Sequence, residues 1–233
     1  MTEELFREDS YLKECDALVV SADDAGVILD RTVCYPLGGG QPGDTGTMSW
    51  GSSSVAIVDT RYAEDGSIRH VVDNGAALPS VGDTVRIILD WDRRYRHMRM
   101  HTAMHLLGSI LHYGVTGGNI SAEKSRLDFD MEDTVDKEAV TAALEALVAQ
   151  DHAVSCRWIS DEELDAQPEL VRTMSVQPPR GKGRIRLLEI ENVDLQPCGG
   201  THLRSTAEVG KVRIGKVEKK GKRNRRVNIH LDD

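Results

Sequence analysis

Residues 90–113 read DWDRRYRHMRMHTAMHLLGSILHY, and at this stretch the pattern of the chain changes. Apolar side chains fall at Tyr95, Met98, Leu106, Leu107, Ile110 and Leu111, the spacing of one helix over Arg93–Tyr113. Before it, up to about residue 90, the apolar signals are short, alternating or β-branched: Ala17–Val20, Val27–Asp30, Val55–Asp59, Ile68–Val72 and Thr84–Asp90. Gly38-Gly39-Gly40, Gly43–Gly46, Trp50–Ser54 and Asn74-Gly75 separate these runs as turns. Five or so strands in this length predict a small barrel or sandwich. After the helix, a second one fits Thr134–Gln150, with Val140, Leu144, Leu147 and Val148 on one face and Asp133 or Thr134 as cap. Ser160 followed by Glu163 has capping-box spacing and predicts a short third helix. Strands return at Ile185–Ile190, and a hairpin is expected from Val212–Val217 and Val227–Leu231, joined through Gly221.

The fold class expected is therefore α+β. A small β-barrel-like domain, residues 1–90, precedes an α+β domain with a mixed or antiparallel sheet, residues 91–233. No flexible linker separates the two, so they are expected to pack together. The chain has 233 residues, 39% hydrophobic and 29% charged, and no apolar run approaches the roughly 18–20 residues that span a bilayer. The N-terminal residues Met1-Thr2-Glu3-Glu4-Leu5-Phe6 start acidic and lack the apolar core of a secretory signal. Cys15, Cys34, Cys156 and Cys198 have no framework spacing, which suits a reducing compartment. The expectation is a cytoplasmic protein, without membrane contact, and a monomer because no coiled-coil or long apolar stripe is left over.

Net charge is −9, which by itself argues against a nucleic-acid partner. Residues 211–226, however, hold nine Lys or Arg against one Glu, a local excess of eight positive charges. Smaller basic clusters lie at Arg93, Arg94, Arg96 and Arg99 and at Arg180, Lys182, Arg184 and Arg186. Such clusters can form a phosphate-facing patch on an acidic protein or simply a solvated surface.

Two residue pairs have side chains suited to binding a metal, although a helical histidine pair is also common as plain surface. His101 and His105 are four apart on the first helix, so both imidazoles share one face. Cys198 and His202 repeat that spacing within Pro-Cys-Gly-Gly-Thr-His. Imidazole and thiolate together suit tetrahedral zinc. Spacing alone does not bring the pairs together; His97 is the substitute ligand if they do not meet, and His112 points to another face. A zinc-peptidase reading fails, because HExxH requires a glutamate where this chain has Thr102. In the Gly-rich stretch Tyr35–Gly46, consecutive glycines let backbone approach a ligand, and Gln41, Asp44 and Thr45 can offer hydrogen bonds. A plain β-turn is the other reading of that stretch.

Taken in order, the segments Asp90–Tyr95, His101–Leu107, Gln196–His202, Thr206–Gly210 and Lys219–Arg226, with the Gly-rich loop, resemble the editing domain of alanyl-tRNA synthetases. The similarity is greatest to the freestanding AlaX-type editing proteins and runs along nearly the whole chain. It implies the medium-length form, a small N-terminal β domain before the editing domain. The chain departs from the pattern at Cys34, where an aromatic is usual, and at Gly117-Gly118-Asn119-Ile120-Ser121.

The resemblance implies one zinc ion per chain on His101, His105, Cys198 and His202, and hydrolysis of serine or glycine wrongly attached to alanine tRNA, with alanine spared. It makes Gln41, Thr45 and Asp44 the candidate catalytic and selectivity residues. RNA contact would fall to Arg93, Arg94, Lys219, Lys220, Lys222, Arg223, Arg225 and Arg226. The bound zinc would either activate water or position the substrate. Competing readings are a non-catalytic RNA-binding module with a structural zinc, a hydrolase of small esters or amides, and an editing enzyme for another tRNA.

Overall fold

A computed structural model describes residues 2–171, 174 and 184–232; Arg180 and Lys182 of one expected basic cluster lie outside them. The chain forms two compact units, Met1–Tyr95 and Arg96–Asp233, divided within the helix that begins at Trp91.

The first unit starts with a two-residue strand β1 (Glu3–Glu4) and a single helical turn α1 (Leu5–Glu8). Then come β2 (Glu14–Asp23), β3 (Gly26–Leu29), β4 (Arg31–Thr32), β5 (Gly46–Trp50), β6 (Ser53–Tyr62), β7 (Ile68–Val72) and β8 (Thr84–Leu89). Six of these close into an antiparallel barrel in the order β2-β3-β7-β6-β5-β8, with β8 also paired to β2. Closure removes the free sheet edges. Strand β8 alternates exposed and buried along its whole length, and its Val85, Ile87 and Leu89 point inward. They meet Val19, Leu29, Met48 and Ile57 in the barrel core. Strand β5 is the one that sequence signals break into turns: Gly46 and Trp50 end it, and Met48 is its one core residue.

Cys34 belongs to the same core. It is fully buried, and burial, with the Asp44 carboxylate, pushes its thiol up to about 12, so it is an inert packing residue.

Helix α2 spans Trp91–Leu111. Asp90 caps it, accepting from Arg93 N through Oδ1 at 3.2 Å. It ends at His112, an exposed residue at φ 51°. The second unit continues with β9 (Val115–Asn119), β10 (Lys124–Asp130), α3 (Lys137–Ala149), β11 (Val154–Ile159), α4 (Asp161–Asp165), β12 (Ile185–Ile190), β13 (Asp194–Pro197), β14 (Val212–Gly221) and β15 (Asn224–Leu231). These strands form two antiparallel sheets, β14-β15-β10-β9 and β11-β12-β13. The expected α+β class, with a barrel-like N-terminal part, is what the structure has. Asp136 caps α3, accepting from Glu138 N and Ala139 N, so the helix starts later than Asp133 or Thr134 would place it. The Ser160–Glu163 capping box is formed as expected.

Candidate metal centre

The two halves of the site come from different kinds of structure. His101 and His105 sit one turn apart on α2, whose residues from His101 to Ser109 are all buried. Cys198 follows directly on β13, and His202 lies four residues further round the Gly-Gly turn. Tertiary folding brings these pairs together across nearly a hundred residues: one donor atom from each of the four lies within 4.8 Å of all the others. Cys198 Sγ is 3.1 Å from His202 Nε2 and 3.6 Å from His101 Nε2. Donors about 2.0–2.3 Å from a tetrahedral ion stand about 3.3–3.6 Å apart. The His101 separation falls in that range and the His202 separation lies just below it, so a small outward shift of one donor would admit zinc. His97 is buried on α2 and is not a member of the group.

Surrounding groups set which ring nitrogen is available. His105 Nδ1 is 2.9 Å from Asp194 Oδ2, a buried carboxylate that accepts its N–H and leaves Nε2 for a ligand bond. Gln196 Nε2 donates to the same Asp194 oxygen at 2.6 Å. His202 Nδ1 lies 3.4 Å from Thr102 Oγ1, which also accepts from Leu203 N at 3.3 Å, so its Nε2 faces Cys198. Thr102 thus occupies the place of a peptidase glutamate but orients a histidine. Burial works against a charged His105, but the hydrogen bonds and charges of Asp194 and Cys198 outweigh it and raise the imidazole to about 9, so a metal ion taken up at Nε2 would displace a proton from it. Burial also opposes ionisation of Cys198, and His101 and His202 overcome it, holding the thiol well below its ordinary range. A soft anionic sulfur, three imidazoles and a buried carboxylate behind one of them form a donor set that fits zinc.

Sequence reasoning missed the part that Asp194, Gln196 and Thr102 play in this arrangement. The signal for two of them was present. Asp194, Gln196 and Cys198 alternate at i, i+2, i+4, the period that puts strand side chains on one face.

The Gly-rich loop belongs to the first unit. Gly38 and Gln41 exchange backbone hydrogen bonds at 3.1 and 2.9 Å, around Gly39 at φ 55° and Gly40 at φ 82°. Two left-handed residues in a two-residue turn require glycine. A Cβ on Gly43 would collide with the Thr60 backbone and the Asp59 carboxylate, so close chain approach explains that glycine. Gln41 is fully buried, and Thr45 Oγ1 lies 3.4 Å from Asp90 Oδ2.

Asp44 and Arg94 do not stand where the sequence suggests. Both are buried, paired with each other. Arg94 Nε donates to both Asp44 oxygens at 3.0 and 2.9 Å, and its terminal nitrogens donate to Val33 O at 2.7 Å and Ser10 O at 3.1 Å. A guanidinium whose Nε and both terminal nitrogens are committed to Asp44, Val33 O and Ser10 O has no uncommitted nitrogen left for a phosphate, and a carboxylate committed to it is not poised for catalysis. Arg225 is a second correction: it is buried, donating to the carbonyls of Gly221, Lys222, Asn224 and Glu132. Arg226 makes a two-pronged pair with Asp128 at 2.8 and 2.9 Å, and Arg223 reaches Asp130 at 3.3 Å. Lys219, Lys220 and Lys222 are exposed near the end of the hairpin, while Arg93 is half-buried and donates to Gly43 O at 2.7 Å.

Residues 6–93 match the family model described as tRNA synthetases class II (A), and residues 185–228 match the threonyl and alanyl tRNA synthetase second additional domain. An alanyl-tRNA editing protein AlaX-M of Methanosarcina acetivorans is 38% identical over the full length of both chains. The chain belongs to the alanyl-tRNA editing protein family. It is also 34% identical to an AlaX-L editing protein of Pyrococcus horikoshii, covering 95% of this chain and 56% of that one. An alanine–tRNA ligase of Ignicoccus hospitalis is 37% identical over 91% of this chain and 24% of its own. The AlaX-M relationship thus takes in both units, the barrel with its Gly-rich loop and the unit with the histidine–cysteine group. Among the described residues, no helix of this editing-family chain is long and apolar enough to cross a membrane.

Proposed function

We propose that this chain is a zinc-dependent hydrolase that removes serine, and glycine, from mischarged alanine tRNA in the cytoplasm and spares alanine. The observation that supports it most is the convergence of His101, His105, Cys198 and His202 in a chain related along its whole length to alanyl-tRNA editing proteins. One zinc ion per chain would be held by those four residues and would supply Lewis-acid polarisation to the ester or to water.

The chain's own residues prepare that chemistry. Asp194 holds His105 in the tautomer whose Nε2 is a donor, and Thr102 does the same for His202. Against the cost of burial, the imidazoles of His101 and His202 lower the Cys198 thiol from its ordinary range, which favours the thiolate form that binds metal. Burial of His101, His105 and His202 excludes bulk water from the donors. Serine differs from alanine by one hydroxyl, and a site built to hydrogen-bond it can discriminate by roughly 10⁴-fold or more. Gln41 and Thr45 are assigned that contact; Asp44 is withdrawn from it as the counter-ion of Arg94. RNA contact is assigned to Lys219, Lys220, Lys222, Arg223 and Arg93, acting as a monomer on the acceptor end.

The four-donor set favours one alternative, a non-catalytic RNA-binding module, because structural zinc sites are commonly closed with four protein ligands. Hydrolysis separates them. Serine- and alanine-charged alanine tRNA are incubated with wild type and Cys198→Ala, with zinc content measured. Loss of serine only, abolished together with the metal in the variant, is expected. Zinc-loaded protein that hydrolyses neither ester would leave the RNA-binding module as the account.

A further inference from the structure

The loop that carries Cys198 and His202 leaves its sheet immediately after Pro197, where the β12–β13 ladder pairs Leu187 with Pro197. Within the next few residues it must present two side chains to one point. Arg186, the neighbour of Leu187 on β12, is the residue that grips it. Its carbonyl accepts from Cys198 N at 3.0 Å, prolonging the ladder by one bond. Its side chain then returns to the same loop: Nη1 donates to Cys198 O at 3.0 Å and to Gly200 O at 2.8 Å. Three hydrogen bonds from one residue therefore hold the segment between the two proposed ligands.

Arginine is an expensive choice at this place. The side chain is buried, at 6% exposure, and among the described residues it forms no ion pair with a carboxylate. Burying a cation without a counter-ion is unfavourable, and fixed acceptors offset that cost only for the donors they reach. Here two loop carbonyls, one of them on the buried Gly200, take up Nη1, while the buried Nε has no hydrogen-bond partner among the described residues. The charge lies against the backbone of the residue whose sulfur must be anionic to bind metal. A nearby exposed arginine, Arg157 on β11, only pairs with Glu189 at 3.7 Å. In the sequence Arg186 belongs to a basic cluster that could face RNA, a role its burial excludes.

We infer that Arg186 is a positioning residue of the metal centre: it fixes the turn at Cys198–Gly200 so that Cys198 and His202 converge with 3.1 Å between their donor atoms. The inference rests on the reading that the histidine–cysteine group holds a metal. Removing the guanidinium leaves both carbonyls without their donor and lets the loop relax. Lysine, a single point charge without the planar fork, restores the grip in part.

The test uses full-length wild type, Arg186→Met, Arg186→Lys and, as a control, Arg157→Met. Zinc affinity is measured by competition with a chromophoric chelator, cobalt substitution is followed by its visible and thiolate charge-transfer absorption, and circular dichroism reports the fold. Arg157→Met is expected to match wild type. Arg186→Met is expected to keep its circular dichroism, bind zinc roughly 10–100-fold more weakly and show an altered cobalt spectrum, with Arg186→Lys between them. Wild-type affinity and spectrum in folded Arg186→Met would overturn the inference. If Arg186→Met does not fold, Arg186→Lys decides by the same two readouts: weakened binding supports the role, unchanged binding overturns it. Wild type that binds neither zinc nor cobalt would overturn the parent reading, a different result from equal binding by all four proteins.

Discussion

Arg94→Met should cost the first unit several kcal/mol and do so for electrostatic reasons. The methionine approximates the length of the arginine stem, so packing is largely kept while the guanidinium is removed. Asp44 would retain Tyr35 N, at 2.6 Å, as a donor but would be an ionised carboxylate at about 1% exposure without its counter-ion. Breaking a buried pair from one side costs about 3–5 kcal/mol. The carbonyls of Val33 and Ser10 are left without their donors as well, adding roughly 1 kcal/mol each. Together these amount to about 5–7 kcal/mol, so with a urea slope of roughly 2 kcal/mol/M the unfolding midpoint of this unit should fall by about 3 M. Urea titration followed by far-ultraviolet circular dichroism measures it, and Arg94→Met combined with Asp44→Asn supplies the control. Neutralising the stranded carboxylate should recover a large part of the stability. A midpoint shift worth less than about 0.5 kcal/mol, the range of ordinary surface substitutions, together with weaker RNA binding, would refute the argument. Arg94 would then be the RNA-binding residue that the sequence suggests.

His70 should make the first unit acid-sensitive. It is buried and neutral, its Nδ1–H donating to Val27 O at 3.1 Å and its Nε2 accepting from Thr32 Oγ1 at 2.8 Å, and burial lowers it to about 4. The unfolded chain takes up this proton near 6.5, so stability is full above that pH and declines as pH falls towards 4, by about 3 kcal/mol. His70→Gln should flatten that slope; an unchanged pH profile would exclude His70 as its source. Replacing Lys219 and Lys222 with alanine should weaken tRNA binding and lower its dependence on log salt by roughly 0.7–0.9 for each phosphate that is no longer neutralised. A wild-type slope in the variant would leave both lysines as solvated surface. Gln41→Ala should weaken serine-over-alanine discrimination or serine release with zinc content intact. Unaltered editing of serine-charged tRNA would remove Gln41 from the pocket.

Local physics explains which features could be read along the chain. The Ser160–Glu163 box and strands Ile68–Val72 and Ile185–Ile190 form where expected, because capping and strand alternation are set by residues within a few positions. Strand β5 escapes a sequence reading because its ends, Gly46 and Trp50, border turn-like glycines and serines, and only pairing with β6 and β8 makes it a strand. Strand β13 is short and polar, and its partner β12 defines it.

For the site, the sequence by itself determined the donor types, their spacing in two pairs and the turn chemistry of Gly39-Gly40. Those depend on side-chain identity and on backbone preferences of single residues. Tertiary structure alone decided that the pairs meet, that Asp194 stands behind His105, and that Arg186 bonds the loop of Cys198. It also decided which charges are for solvent and which are for the interior. A run of basic residues looks uniform in sequence, yet Lys219 is exposed while Arg225 is enclosed by four carbonyls, and Arg94 is sealed against Asp44. Burial turns an arginine from a phosphate-binding group into a structural clamp, because a buried guanidinium must spend its donors on the fold.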